Sequence, residues 1–88
     1  MIYVTHIHLV GGTGHQHIQS MRWWEQASGK TGQIDRAAMV DWIDKGNDVR
    51  VRGGGREASV GVVRGNPPYV RTHADGQWSD NLLALPQY

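Results

Sequence analysis

Ile34-Asp35-Arg36-Ala37-Ala38-Met39-Val40-Asp41-Trp42-Ile43-Asp44-Lys45-Gly46 carries the start and stop signals of one helix, and the chain on either side of it has the composition of strands. Asp35 is placed as an N-cap, with a carboxylate that can accept from the free N–H groups of the first turn. Ile34 before the cap and Met39 after it have the spacing of a hydrophobic staple. The spacing predicts a helix over Arg36 to Lys45, about 15 Å long at 1.5 Å per residue. Met39, Val40, Trp42 and Ile43 form its apolar side; Arg36, Asp41, Asp44 and Lys45 face water. Lys45 suits the negative end of the helix dipole, and Gly46 is a natural left-handed stop.

Upstream, Ile2 to Val10 is β-branched and aromatic and reads as a strand. Gly11-Gly12-Thr13-Gly14 interrupts it, and His15 to Trp24 resumes the extended pattern. The two runs read as a hairpin with a four-residue glycine loop. Ala27 to Gly32 reads as a loop. Downstream, Asp48 to Arg52 alternates, with Val49 and Val51 on one face and Arg50 and Arg52 on the other. Gly53-Gly54-Gly55 turns the chain and Glu57 to Arg64 returns. Asn66-Pro67-Pro68 ends that strand, since tandem prolines do not fit a central strand. Tyr69 to His73 and Gln77 to Ser79 flank Asp75-Gly76, a hairpin signal. Leu82 to Pro86 is apolar and is expected to pack back on the sheet. The order β-β-α-β-β-β predicts an α+β domain: a small, mostly antiparallel sheet of about five strands with one helix on one face.

With 88 residues the chain is one domain, spanning 1–88, and its core is small. It has no Phe and no Cys. Four Trp and three Tyr must therefore share the core with Val, Ile and Leu, and each brings a polar atom that needs a partner. Disulfides, thiolate metal sites and cysteine catalysis are excluded. The start of the chain lacks the basic and long apolar segments of a signal peptide, and no run is long enough to span a membrane. A cytoplasmic protein without a membrane partner is expected.

Several of these residues together resemble a known family. They are Gly11-Gly12-Thr13-Gly14-His15-Gln16-His17-Ile18 with Trp23, the helix end Lys45-Gly46-Asn47, Pro68-Tyr69-Val70-Arg71-Thr72, and Asp80-Asn81-Leu82-Leu83-Ala84-Leu85-Pro86. The combination resembles a family of short bacterial and phage proteins known as a domain of unknown function. The resemblance spans nearly the whole chain. It implies a small stand-alone cytoplasmic domain and brings no activity with it.

Three groups of residues can carry chemistry. His6 and His8 share a strand face, as do His15 and His17. If Val10 faces His15 across the glycine loop, His8 faces His17 and all four imidazoles lie on one side. Cross-strand neighbours about 5 Å apart suit two ligands of one zinc or similar divalent ion. A slip of one residue or a bulge destroys that alignment. The plainer reading is four ordinary polar positions. Second, Gly11, Gly12, Thr13 and Gly14 can curl backbone N–H groups around an anion, with His15 and His17 beside them. The alternative is a turn that needs glycine only for its backbone freedom. Third, Arg50, Arg52, Arg56, Arg64 and Arg71 stand against Glu57 alone between Val49 and Thr72. Such an excess attracts phosphate or carboxylate, although the plainer reading is a solvated strand face, charged to stay soluble.

Gly29-Lys30-Thr31 looks like the end of a Walker A loop, but its first glycine would fall on Trp24 and no strand runs into a helix there. Trp23 and Trp24 must point to opposite faces of a strand, one into the core toward Trp42 and the other to solvent, ligand or partner. No Ser, His and Asp form a recognisable catalytic set. The residues point to a non-enzymatic binding module for a small anionic, nucleotide-like ligand or a protein partner, acting on a host factor or signal in its phage variant. Its ligand set would be Gly11, Gly12, Thr13, Gly14, His15, His17, Arg50, Arg52, Arg56 and Arg71. A net charge of +1 makes nucleic acid an unlikely partner. The other readings are a metal-binding protein or metal-dependent hydrolase on His6, His8, His15 and His17, and a structural homo-oligomer.

Overall fold

The computed structural model describes residues 1–53, 56–74, 77–79 and 81–88. At 53, 56, 74 and 77–79 it describes the main chain only. Strand β1 (Ile2–Leu9) is followed by a single 3-10 turn (His15–His17) and by β2 (Ile18–Glu25) and β3 (Thr31–Asp35). The helix α1 (Arg36–Asp44) leads to β4 (Val49–Gly53), β5 (Arg56–Val63), β6 (Tyr69–Ala74) and β7 (Gln77–Ser79). The strands form one sheet in the order β3-β2-β1-β4-β5-β6-β7. Every neighbouring pair is antiparallel except β1 and β4. This is the expected α+β architecture with one helix on one face, although the sheet has seven strands rather than five.

The helix begins where its cap places it. Asp35 Oδ1 accepts from the Ala38 N–H at 2.8 Å, and the chain leaves the helix through Gly46 at φ +94°. Met39 and Val40 are buried, and Ile43 packs against the same core. Trp42 does not join them: it is 43% exposed. The core lies between α1 and one face of the sheet. Val49 and Val51 of β4, Val60 of β5 and Val70 of β6 alternate onto that face and are buried, while Arg50 and Arg52 take the opposite face.

Strand β1 departs from simple alternation. Val4 and Ile7 are three residues apart and are both in the core, at 2% and 0% exposure. Between Val4 and His6 the register with β2 slips by one residue, so Thr5 is a bulge. The bulge reverses the parity of the strand. As a result Tyr3 ahead of it and His6 and His8 after it all fall on the helix-free face.

The first hairpin also differs from expectation. The Val10 N–H bonds to the carbonyl of His17, not of His15, and the His17 N–H bonds back to the Gly14 carbonyl, both at 2.9 Å. His15 and His17 thus belong to a turn, and β2 starts at Ile18. Thr31 and Gly32, expected in a loop, open β3 in register with Trp24 and Trp23. Asp75 and Gly76 lie outside the described residues, as do Gly54, Gly55 and Asp80. The tail packs back as expected: Leu82 is fully buried, and Ile7 exchanges main-chain bonds with Pro86 and Tyr88 at 3.0 and 3.1 Å.

Candidate functional site

The face of the sheet opposite α1 carries a continuous polar and aromatic line. Thr31 of β3 pairs with Trp24, Trp24 with Tyr3, Tyr3 with Arg50, Arg50 with Ser59, and Ser59 with His73. Directly opposed residues share a face, so this line crosses six strands on one side. Tyr3 anchors it. Its ring lies 5.7 Å from that of Trp24, and the Arg52 guanidinium sits 4.4 Å from its centre on the other side. The Tyr3 hydroxyl donates to Glu57 at 2.8 Å and accepts from Arg52 at 2.8 Å.

The arginines expected to attract an anion are already engaged there. Arg52 meets Glu57 at 3.0 Å, and Arg50 meets Asp48 at 3.3 Å and Glu57 at 3.5 Å. The Tyr3 hydroxyl and the Arg52 guanidinium hold the Glu57 carboxyl below the usual carboxylate range. Arg64 pairs with Asp44 on the helix, and that pairing lowers the Asp44 carboxyl in the same way. Arg71 lies on β6, half-buried, and the Arg56 side chain is outside the description.

Arg22 is different. It lies on β2 opposite His6, and among the described residues it has no carboxylate partner. Its guanidinium rests 4.5 Å from the centre of the Tyr88 ring, where it keeps its donors available. Thr5, His6, Arg22, Trp24, Thr31 and Gln33 line a shallow groove on this part of the face. The Thr5 bulge opens it. The Thr5 hydroxyl donates to the Arg22 carbonyl at 3.3 Å and shares a 2.9 Å hydrogen bond with His6 Nδ1. Next to it Tyr88 is fastened by a 2.7 Å bond between its hydroxyl and Ser20, and by His8 Nδ1 on its main-chain oxygen.

The four-histidine face does not form. His6 and His8 share a side, as expected, but they oppose Arg22 and Ser20. His15 is buried in the turn, and His17 folds over the glycine loop. The reason is the turn at His15–His17, which removes both residues from strand pairing. Among the described residues no group of three or more His, Asp or Glu side chains is placed to hold a metal ion.

The glycine loop is filled from within. A Cβ on Gly12 would lie 2.4 Å from His17 Cε1, and the Gly14 N–H donates to His17 Nδ1 at 3.2 Å. The Arg36 guanidinium reaches this segment, donating to the Gln16 carbonyl. Neither Arg50 nor Arg52 forms a hydrogen bond or ion pair with the loop.

Sequence reasoning missed Arg22, whose charge is hidden among apolar neighbours in β2. Trp24 was legible as one of two opposed indoles. Its neighbour Trp23 points to the helix side and, with Ile2, Ile34, Met39 and Trp42, lines an apolar cavity of about 160 Å³.

The chain belongs to the family described as "Protein of unknown function (DUF3892)", whose model matches residues 3–86. No curated protein and no solved structure matches it. Among the described residues no helix is long and apolar enough to cross a membrane.

Proposed function

We propose that this protein is a non-enzymatic binding module for a small anionic ligand with a planar ring, taken up in the groove between Arg22 and Trp24. The observation that carries this reading is Arg22, a guanidinium on the helix-free face with no carboxylate partner among the described residues. Nearby Arg50 and Arg52 would have to give up Asp48 and Glu57 to serve. A phosphate or carboxylate would take two donors from Arg22, while the half-exposed Trp24 indole offers a stacking surface. Thr5, Thr31 and Gln33 supply neutral hydrogen-bonding groups around them. The Trp23–Trp42 cavity supports such an anion less well. At about 160 Å³ it is smaller than the roughly 300–1,000 Å³ of small-molecule pockets, and the wider recess of about 470 Å³ that Trp23 and Trp42 also line sets the carboxylates of Glu25 and Asp48 beside Lys30, which suits an anion less well than Arg22 does.

The test is titration with adenosine diphosphate, followed by quenching of tryptophan fluorescence and by calorimetry, with inorganic phosphate as the second probe. Binding that weakens about tenfold or more in Arg22→Ala, the scale of a lost hydrogen bond to a charged group, supports the reading. Equal affinity in Arg22→Ala and the unaltered protein would sink it. Binding of both probes with the same affinity would leave Trp24 without a role.

A further inference from the structure

On the helix side of the sheet, the Trp23 ring lies over Gly32, where a Cβ would come within 2.5 Å of Cζ2. Glycine at this position leaves the indole room across the edge strand β3. Trp42 of α1 stays 43% exposed and shares with Trp23 the apolar cavity of about 160 Å³, walled also by Ile2, Ile34 and Met39. An apolar cavity of about 150 Å³ takes up benzene, so this one has room for a phenyl ring or a branched aliphatic group. Its walls lack packing partners that such a group would supply.

The cavity shares Ile2, Trp23 and Trp42 with the wider recess of about 470 Å³, and that recess carries charges of both signs. Glu25 pairs with Ile2 of β1, and its N–H donates to the Lys30 carbonyl at 2.8 Å. Glu25 and Lys30 are thus neighbours at one end of the sheet. Lys30 is exposed and has no ion-pair partner among the described residues. Each carboxylate keeps one oxygen without a partner among those residues. Glu25 uses Oε2 for the Met1 ammonium at 3.2 Å, and Asp48 uses Oδ2 for Arg50 at 3.3 Å.

We propose that this recess binds a zwitterionic α-amino acid with a large apolar side chain, of the size of phenylalanine or leucine. The side chain fills the slot beside Trp23 and Trp42, the ammonium takes the open carboxylate oxygens of Glu25 and Asp48, and the carboxylate takes Lys30. A plain anion would meet two carboxylates here, and a plain cation would meet Lys30. A zwitterion complements both signs. The recess lies on the opposite face of the sheet from the Arg22 groove, and the inference does not rest on that site.

Calorimetric titration with L-phenylalanine tests it. Three probes each lack one part: hydrocinnamate the ammonium, phenethylamine the carboxylate, and glycine the side chain. Each should bind at least about tenfold more weakly than L-phenylalanine, the scale of a lost hydrogen bond to a charged group or of a lost apolar side chain. Lys30 is exposed, so Lys30→Ala should fold, which circular dichroism checks. It should weaken L-phenylalanine about tenfold and leave phenethylamine unchanged, whereas damage to the slot would weaken both. Arg22→Ala should leave L-phenylalanine binding as it was. No binding of L-phenylalanine, hydrocinnamate or phenethylamine binding as tightly as the amino acid, or a Lys30→Ala variant that binds L-phenylalanine unchanged or loses both ligands equally would each overturn the inference.

Discussion

Gly12 tests whether the glycine loop exists for a ligand or for the imidazole that fills it. A Cβ built there lies 2.4 Å from His17 Cε1 and 2.6 Å from Nδ1 and Nε2, far inside contact distance. Gly12→Ala must therefore displace the ring and, with it, the bond from the Gly14 N–H to Nδ1 at 3.2 Å. Overpacking of this kind costs about 1–3 kcal/mol, or a drop of roughly 4–8 °C in Tm per kcal/mol for a domain this small. The same change in a His17→Ala background meets no ring. Gly12 is not among the positive-φ glycines, so Ala fits its backbone. There the substitution should be neutral or stabilise by about 0.4–1 kcal/mol, through the reduced freedom of the unfolded chain. The cycle of four proteins should thus show a coupling of about 2 kcal/mol. Urea unfolding followed by tryptophan fluorescence measures it. An equal cost of Gly12→Ala in both backgrounds would refute the reasoning and return the loop to the role of an anion nest.

Two further changes probe the frame around the site. Asp35→Ala removes the acceptor of the Ala38 N–H and should cost about 1 kcal/mol; an unchanged urea midpoint would place the helix start elsewhere. Glu57 supplies a pH dependence. Its carboxyl is held low by the Tyr3 hydroxyl first and by Arg52 second, so the folded protein gives up this proton more readily than the unfolded one. The stabilisation is complete above the ordinary value of 4.5 and is lost as pH falls through the depressed folded value. Glu57→Gln should therefore flatten the acid limb of a stability–pH curve, and an acid limb identical to that of the unaltered protein would show that Glu57 does not set it.

The fold was legible where one local signal dominated. Asp35 and Gly46 marked the helix because a capping carboxylate and a left-handed stop are local requirements. The β4 strand was legible because Val49 and Val51 alternate with Arg50 and Arg52. The misreadings fell where the chain's neighbours decide. Thr31 and Gly32 have loop composition, yet pairing with Trp24 and Trp23 makes them strand. His15 and His17 alternate like a strand, but the 3-10 turn ending at His17 decides their geometry. Trp42 has helix-core spacing, but it lies in an open recess beside Ile2 and Trp23 and stays 43% exposed. Of the proposed site, Trp24 was legible as one of two opposed indoles, but the excess of arginine pointed to β4–β6 and not to Arg22 on β2. Which arginine remains available is a matter of where Asp48 and Glu57 fall, and that is set by packing.

The bulge at Thr5 connects the core with the groove. Apolar residues occupy even positions at Ile2 and Val4 and odd positions at Ile7 and Leu9, so the change of parity is written in the sequence. It is resolved by giving Thr5 no opposite number on β2. Without that extra residue, regular alternation would leave Ile7 and Leu9 in water if Val4 stayed in the core. Exposing side chains of that kind costs about 1.5–3 kcal/mol each. The same step would turn His6 and His8 inward, where imidazoles need partners that the apolar core does not offer. The bulge is thus held in place by the burial of Ile7, at 0% exposure, and it delivers His6 opposite Arg22 with Thr5 bridging to the Arg22 carbonyl. A bulge kinks its strand locally, and the groove lies at that kink. The recess beside Arg22 is therefore a consequence of how the core is satisfied, kept at low cost because any loss of the bulge would expose the core.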